Sequence, residues 1–562
     1  MTRIIDRVLI SAATAALIQT YGAPARADGA ADEADRRGTL EEIVVTARKR
    51  SESAQLAPLS LSAISSENLE GQHLTRLDDL SGVAPNLTIT QNSATVGVTQ
   101  TTIRGIVNAD YNLMNDSPVG IYLDGVVIAR ATGALMGLAD LDRVEVLRGP
   151  QGTLYGRNTT GGAVNLFSKG PAEELGFQQK LSYGSHNDLI SRSVLDSGKL
   201  GPFTARLTYV RHQYDGYERN LQTDSSDGIG ARHSDAFLFA LHGDLTDHFT
   251  FDYKFDHDEE SDRPGYYQVT AATSTVSAVY ANSVALGGVP FVVSPTFRGG
   301  PVNQTDLGPS RLNVLGHSVT LNYEFSEAFK VKSITAYRSV GTVYNTVIGP
   351  GPLFATIGKG GPSTGFAPYV VGNNDMYVNL EKDRQHQTSE EINFSGQIQR
   401  FNYVAGVYYF DEKVALDSTG HLAAFVPLPN FPLSLMVPQV LSYNGESRSY
   451  AGFSNISYTP PVLNDKLELT VGLRDTQDRK VLHQNFFDAA GAPVAGAAGF
   501  RDVARDFSNF SESASAKYQW QDELMTYFRW SKAYKAGGFN PRSTNSLSAS
   551  GSEASTRHRR VG

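Results

Sequence analysis

Five glycines stand in the fourteen residues from Gly149 to Gly162 (GPQGTLYGRNTTGG), and glycine at that density could let a backbone cradle a phosphate. A nucleotide loop would also need Gly-Lys-Ser/Thr and an apolar helix opening behind it, and neither follows. The run reads instead as a closely packed, glycine-punctuated sheet between Val144–Leu147 and Ala163–Leu166. Hydrolytic chemistry has no better footing. The twelve histidines are scattered, with no His-Glu-x-x-His and no Gly-x-Ser-x-Gly, and residues such as His212 and His257 read as isolated loop histidines. The absence of cysteine removes thiolate metal sites and disulfides. A net charge of −9 with no basic stripe argues against nucleic acid. The expectation is a protein that is no enzyme and carries no cofactor.

What could act is recognition and locking. Ile43-Val44-Val45-Thr46-Ala47 is a β-branched run between Glu41-Glu42 and Arg48-Lys49-Arg50, with no strand of its own to pair with. Such a segment is either an ordinary edge strand or one that adds to another protein's sheet. Arg104 and Arg148 each sit in an apolar strand beside glycine, so burial would demand a carboxylate partner; facing solvent, they would need none. Tyr266 and Tyr267 could stack on a ligand.

Several elements must position these residues. Met1–Ala27 carries Arg3 and Arg7, a short apolar run and Ala25-Arg26-Ala27, the layout of an export signal. Residues 28–50 read as a flexible N-terminus. Residues 51–170 read as a small α/β domain. It has strands at Leu59–Ile64, Thr88–Thr90, Thr101–Ile106 and Val119–Val126, helices after Ser65 and over Leu74–Leu80, and a tight turn at Asp124-Gly125. From 171 to 540 the period becomes two. Phe237, Phe239, Leu241 and Leu245 alternate with more polar neighbours, then Phe249, Phe251, Tyr253 and Phe255 with Thr250, Asp252, Lys254 and Asp256. Short turns alternate with long connections at about 261–313, 340–384, 412–446 and 477–507, an asymmetry found in transmembrane antiparallel β-barrels.

The run LRGPQGTLYGRNTTGGAVN, with PNL, IRG and PVGIYLDGV before it in the same order, resembles the plug domain of TonB-dependent outer-membrane receptors. EIVVTARKR resembles the TonB box, and GLR (472–474) and WSKAYKAGGFN (530–540) resemble barrel strands of that family. The resemblance implies a plug inside a 22-stranded barrel in the outer membrane of a Gram-negative bacterium. It implies partners as well: TonB with its ExbB–ExbD energy complex, outer-membrane lipid and an extracellular small molecule. It further implies that Ile43–Ala47 is gripped by TonB through strand addition, and that Arg104 and Arg148 pair with wall glutamates, one of them Glu391; the arginine usual two residues later is Asn393 here. The implied activity is active import of a scarce solute, by family frequency a ferric siderophore. About thirteen barrel strands are legible, and residues 541–562 return to no alternation. The chain is therefore expected to be C-terminally truncated, with an aberrant disordered tail, which makes a non-transporting remnant the alternative. A secreted binding protein comes third.

Overall fold

The computed structural model describes residues 43–541, apart from 92–96, 133–139, 221–226, nearly all of 264–307, 349–352, 357–369, 375–376, 427–432, nearly all of 488–498 and single positions 73, 75, 109, 111 and 523. The export signal, residues 28–42, Tyr266 and Tyr267, and the tail beyond 541 lie outside the described residues.

Ile64, Leu69, Leu80, Val144, Val146, Val164 and Leu166 converge into one apolar core, which is why the glycine-rich region folds as a sheet. The chain opens with β1 (Val44–Val45) paired to β2 (Glu52–Ser53). A five-stranded sheet follows, built from β3 (Leu61–Ser65), β6 (Val119–Leu123), β7 (Val126–Ile128), β8 (Leu141–Arg148) and β9 (Gly162–Ser168), in the order β3-β8-β9-β6-β7. Of its pairings only β6–β9 is parallel. Helix α1 (Ser66–Gly71) starts where Ser65 Oγ accepts from the Asn68 amide, and Leu77–Leu80 forms one 3-10 turn. β4 (Leu87–Gln91) and β5 (Thr99–Ile103) make a separate hairpin. Asp124 and Gly125 form the expected turn between β6 and β7, with φ of 51° and 87°. Gly162 could not be another residue: its φ is 148°, and a Cβ would lie 2.2 Å from the Leu147 carbonyl oxygen.

Around this domain runs a sheet of thirteen antiparallel strands, each bonded to the next in chain order. The strands are β10 (Leu175–Tyr183), β11 (Leu189–Ser197), β12 (Phe203–Tyr214), β13 (Arg232–Thr246), β14 (Phe249–Asp262), β15 (Ser310–Ser326) and β16 (Phe329–Ile348). After a small pair, β17 (Leu353–Thr356) and β18 (Val370–Asn374), come β19 (Tyr377–Ile398), β20 (Phe401–Val426), β21 (Leu433–Tyr458), β22 (Leu467–Asn485), β23 (Phe500–Gln521) and β24 (Leu524–Ser531). Outward aromatics form two belts. Near the short turns, Phe325 meets Phe329 at 5.3 Å between ring centres, Phe401 meets Tyr458 at 4.6 Å and Tyr518 meets Trp520 at 4.6 Å. Further along the strands, Tyr209 meets Phe237 at 4.7 Å between ring centres and Tyr409 meets Tyr450 at 5.1 Å, both tilted. From Phe401 to Tyr409 the strand runs roughly 26 Å along its own axis, which at a tilt of about 40° is roughly 20 Å of height, comparable with the roughly 25 Å apolar band that aromatic girdles bound in membrane barrels.

The strands outrun the sequence expectation. Much of 340–384, 412–446 and 477–507, read above as connections, is ladder: Val414 pairs with Gly445 and Val481 with Ala504. β20 and β21 have 26 residues each, far beyond the ~9–11 that cross a bilayer. Past the lipid a strand no longer needs an apolar outer face, so the alternation disappears while the hydrogen bonds continue. His212 and His257 likewise lie on β12 and β14 rather than in loops.

Candidate functional site: the plug and the inner wall

Because side chains alternate across a strand, every second residue of the wall points at the plug, and these inward positions carry charge. One buried cluster joins the β6–β7 region to β20 and β22. Arg130 grips Glu412 with two nitrogens, Nε donating to Oε1 at 2.7 Å. It also donates to Asp116 at 2.9 Å, and Lys480 donates to the other Asp116 oxygen at 2.6 Å. All four side chains are almost fully enclosed. Burial alone would raise the Asp116 carboxyl, but Lys480, Arg130 and Arg157 hold it well below the usual carboxylate range. A second junction lies at Asp140, which accepts from Arg206 at 2.7 and 2.9 Å and from the Thr208 hydroxyl at 2.6 Å. A third joins Arg157 to Asp478 at 3.4 Å. The glycine run packs against the same region: a Cβ on Gly152 would lie 2.6 Å from the Lys532 carbonyl oxygen.

The N-terminal segment meets the wall at the short-turn end. Val45 is wholly buried and Val44 half exposed. The Thr46 amide donates to Glu145 at 2.9 Å. Arg48 donates to Glu52 at 2.7 Å and to Glu468 of β22 at 2.9 Å. Lys49 pairs with Glu391 of β19 and lies 4.8 Å from the Phe453 ring centre. Burial, with Arg474 and Lys332 nearby, keeps the Lys49 ammonium below its usual range despite Glu391.

Two expectations need correction. Ile43–Ala47 was read as having nothing of its own to pair with, yet Val44 and Val45 pair with Ser53 and Glu52. The chain reverses between them, with the Lys49 amide donating to the Thr46 carbonyl at 2.8 Å and Lys49 at φ 56°. The expected lock of Arg104 and Arg148 on Glu391 is also not made. Arg148 donates to the Ser60 hydroxyl at 3.0 Å and the Leu61 carbonyl at 3.2 Å, and Arg104 lies exposed in a turn at φ 53°. Backbone and hydroxyl oxygens of the neighbouring strand satisfy Arg148, so it needs no carboxylate. Glu391 is held by Lys49 and by Asn393 at 2.8 Å. Sequence reasoning missed Asp116, Arg130 and Asp140. Asp116 and Arg130 flank the apolar PVGIYLDGVVIA stretch and Asp140 precedes DRVEVL, which marks them as charges at strand ends, but their partners on the wall lie 66 to 364 residues away.

Between plug and wall lies a cavity of about 470 Å³, bordered by the β6–β7 hairpin and by β14, β16, β19, β20 and β22. Among the described residues, seven basic and four acidic side chains line it.

Two family models match the chain. One described as the TonB-dependent receptor plug domain matches residues 53–163, and one described as the TonB dependent receptor-like beta-barrel matches 264–558. The pesticin receptor of Yersinia pestis is 34% identical over 201 residues, which is 34% of this chain and 28% of that protein. The iron-regulated outer membrane virulence protein of Vibrio cholerae is 32% identical over 141 residues, 24% of this chain and 21% of that protein. Among solved structures, the ferric yersiniabactin uptake receptor FyuA from Yersinia pestis superposes with a TM-score of 0.65 at 19% identity, covering 87% of this chain and 66% of that one, a likeness of fold alone. The matched stretches span less than a third of the curated relatives and just under two thirds of the solved receptor. With the barrel model covering more than half of its residues, this chain belongs to the TonB-dependent receptor family.

Proposed function

We propose that this chain is an outer-membrane receptor that imports a scarce small solute, a ferric siderophore, and that TonB with ExbB–ExbD supplies the energy. The substrate class rests on relatives named as iron-regulated, ferrioxamine and ferric yersiniabactin receptors. Ile43–Ala47 is the segment TonB takes hold of. The observation that carries this reading concerns Val44–Ala47: these residues lie at the short-turn end of the wall, β2 occupies one ladder edge of β1, and half-exposed Val44 marks an approachable side. An incoming strand can pair with a free edge. Pulling there would act first on the ion pairs of Arg48 and Lys49, and through Thr46 on buried Glu145 of β8.

The test is binding of the periplasmic domain of TonB to the purified full-length chain. Val45→Pro removes a backbone donor and should abolish capture while surface abundance is unchanged. Capture equal to the parent's would reject the assignment of this segment.

A further inference from the structure

Three cations in the plug–wall cavity face one carboxylate. Lys49, Arg474 and Lys332 all act on Glu391, and of the three only Lys49 is bonded to it. Arg474 is 3% exposed, lies between the rings of Tyr408 (5.5 Å) and Phe453 (5.2 Å), and donates to the Thr476 hydroxyl at 3.3 Å. Lys332 projects from β16 on the same inward face as Ile334, Ala336 and Arg338, where its side chain is open to the cavity. Among the described residues, neither Arg474 nor Lys332 has a carboxylate within ion-pair distance. Asp252 and Asp124 also face Lys332, but they are bonded to His242 at 2.7 Å and to Lys254 at 2.7 Å. Arg474 is thus an enclosed guanidinium and Lys332 an exposed ammonium on the same cavity, neither bonded to a carboxylate, and an anion entering there would give both a direct partner.

We propose that this cavity is an anion-binding site, in which an oxoanion of carboxylate or phosphate type is held by Lys332 and Arg474 beside Lys49. About 470 Å³ accommodates inorganic phosphate or a tricarboxylate with several waters. The occupant would share Lys49 with Glu391 and so compete with the contact that anchors the N-terminal segment. Its source is either a free inorganic ion or the acidic part of a solute passing the plug. The site follows from the geometry of these side chains and stands whether or not TonB binds Ile43–Ala47.

Calorimetric titration of the full chain in detergent, at fixed ionic strength, tests the site with two probes, inorganic phosphate and citrate. Phosphate should bind saturably. Lys332→Gln, which alters a side chain open to the cavity, should weaken it about tenfold or more, the scale of one charge-assisted contact. Glu391→Gln should strengthen it several-fold, because the internal competitor is gone. Binding of both probes points to the solute's acidic group, and binding of phosphate alone to a free ion. No saturable binding of either probe, or equal binding by Lys332→Gln, overturns the proposal. Loss of TonB capture by Val45→Pro with no anion binding would leave the transport reading standing and this one refuted.

Discussion

The plug is tied to the wall in two different ways. Deep in the barrel, Asp116, Arg130, Glu412 and Lys480 form a closed set in which each carboxylate meets at least one cation and Arg130 meets two carboxylates. At the short-turn end, Arg48, Arg50 and Lys517 share Glu468, and Lys49 has Glu391 as its one ion-pair partner among the described residues. The first set is almost fully enclosed and cross-linked. In the second, Glu468 is shared by three cations, while Glu391 has a single ion pair among the described residues, with Lys49, the two side chains being 14% and 18% exposed. Breaking one member of a fully enclosed set strands the others without water, whereas a pair with some exposure is partly compensated by hydration. Under the proposed reading, the deep cluster is a fixed pin and the N-terminal cluster a release.

Arg130→Ala tests the pin and should have the largest effect. It leaves Glu412 and Asp116 buried with half their partners removed, and a loss on the order of 3–5 kcal/mol is expected in denaturant unfolding. A loss below about 1 kcal/mol would mean that water fills the gap, and the distinction between pin and release would fail.

Acid reaches the same cluster more gently, because a protonated Asp116 carboxyl keeps a carbonyl oxygen that can still accept from Arg130 or Lys480. Asp116 ionises at lower pH in the folded chain than the roughly pH 4 of an unfolded aspartate. Its contribution to stability is therefore complete above about pH 4 and is lost as pH falls through the folded value. Asp140, held low by Arg206 and Thr208 against its burial, adds a loss of the same sign in the same acidic window. Unfolding followed from pH 5 to pH 2 should steepen below pH 4, and Asp116→Asn should flatten that limb. An unchanged limb in Asp116→Asn would remove this residue from the account.

The two regions also differ in how far the sequence revealed them. The Phe237–Asp256 hairpin, the Asp124-Gly125 turn and the thirteen wall strands were legible, because period-two alternation and turn residues are local signals. The glycine run was legible as close packing, but not what it packs on; Gly152 faces Lys532 and Ala533, some 380 residues later. Charge pairing was the hardest to read. Arg148 looked as if it needed a carboxylate, yet Ser60 and Leu61 of the adjacent strand satisfy it, while the pair Glu391 does make is with Lys49, which the sequence presents as part of a basic tract. A buried arginine shows that a partner exists and says nothing about which oxygen fills the role, since a carbonyl, a hydroxyl and a carboxylate all accept its N–H groups.

Glu391→Gln tests the release and should have the smallest effect on global stability, about 1–2 kcal/mol, since it removes one ion pair and the amide keeps one acceptor. Its local effect should be larger in proportion. Lys49 then faces Arg474 and Lys332 with no carboxylate to offset them, and burial already keeps that ammonium below its usual range. The segment from Val44 to Arg50 should open more often, and trypsin, which cuts after arginine and lysine, reads that opening at Arg48-Lys49-Arg50. Where opening is fast relative to cleavage, about 1.4 kcal/mol of lost anchoring is a tenfold faster cut. Arg48 would still hold Glu52 and Glu468, so Glu391→Gln combined with Glu468→Gln should cut faster than either alone. If Glu391→Gln unfolds the whole chain as readily as Arg130→Ala, the two clusters are one structural unit. If it speeds cleavage at 48–50 while the midpoint of global unfolding barely moves, the N-terminal segment is held by a separate catch, weak enough for a pull on β1 to open while the deep cluster stays shut.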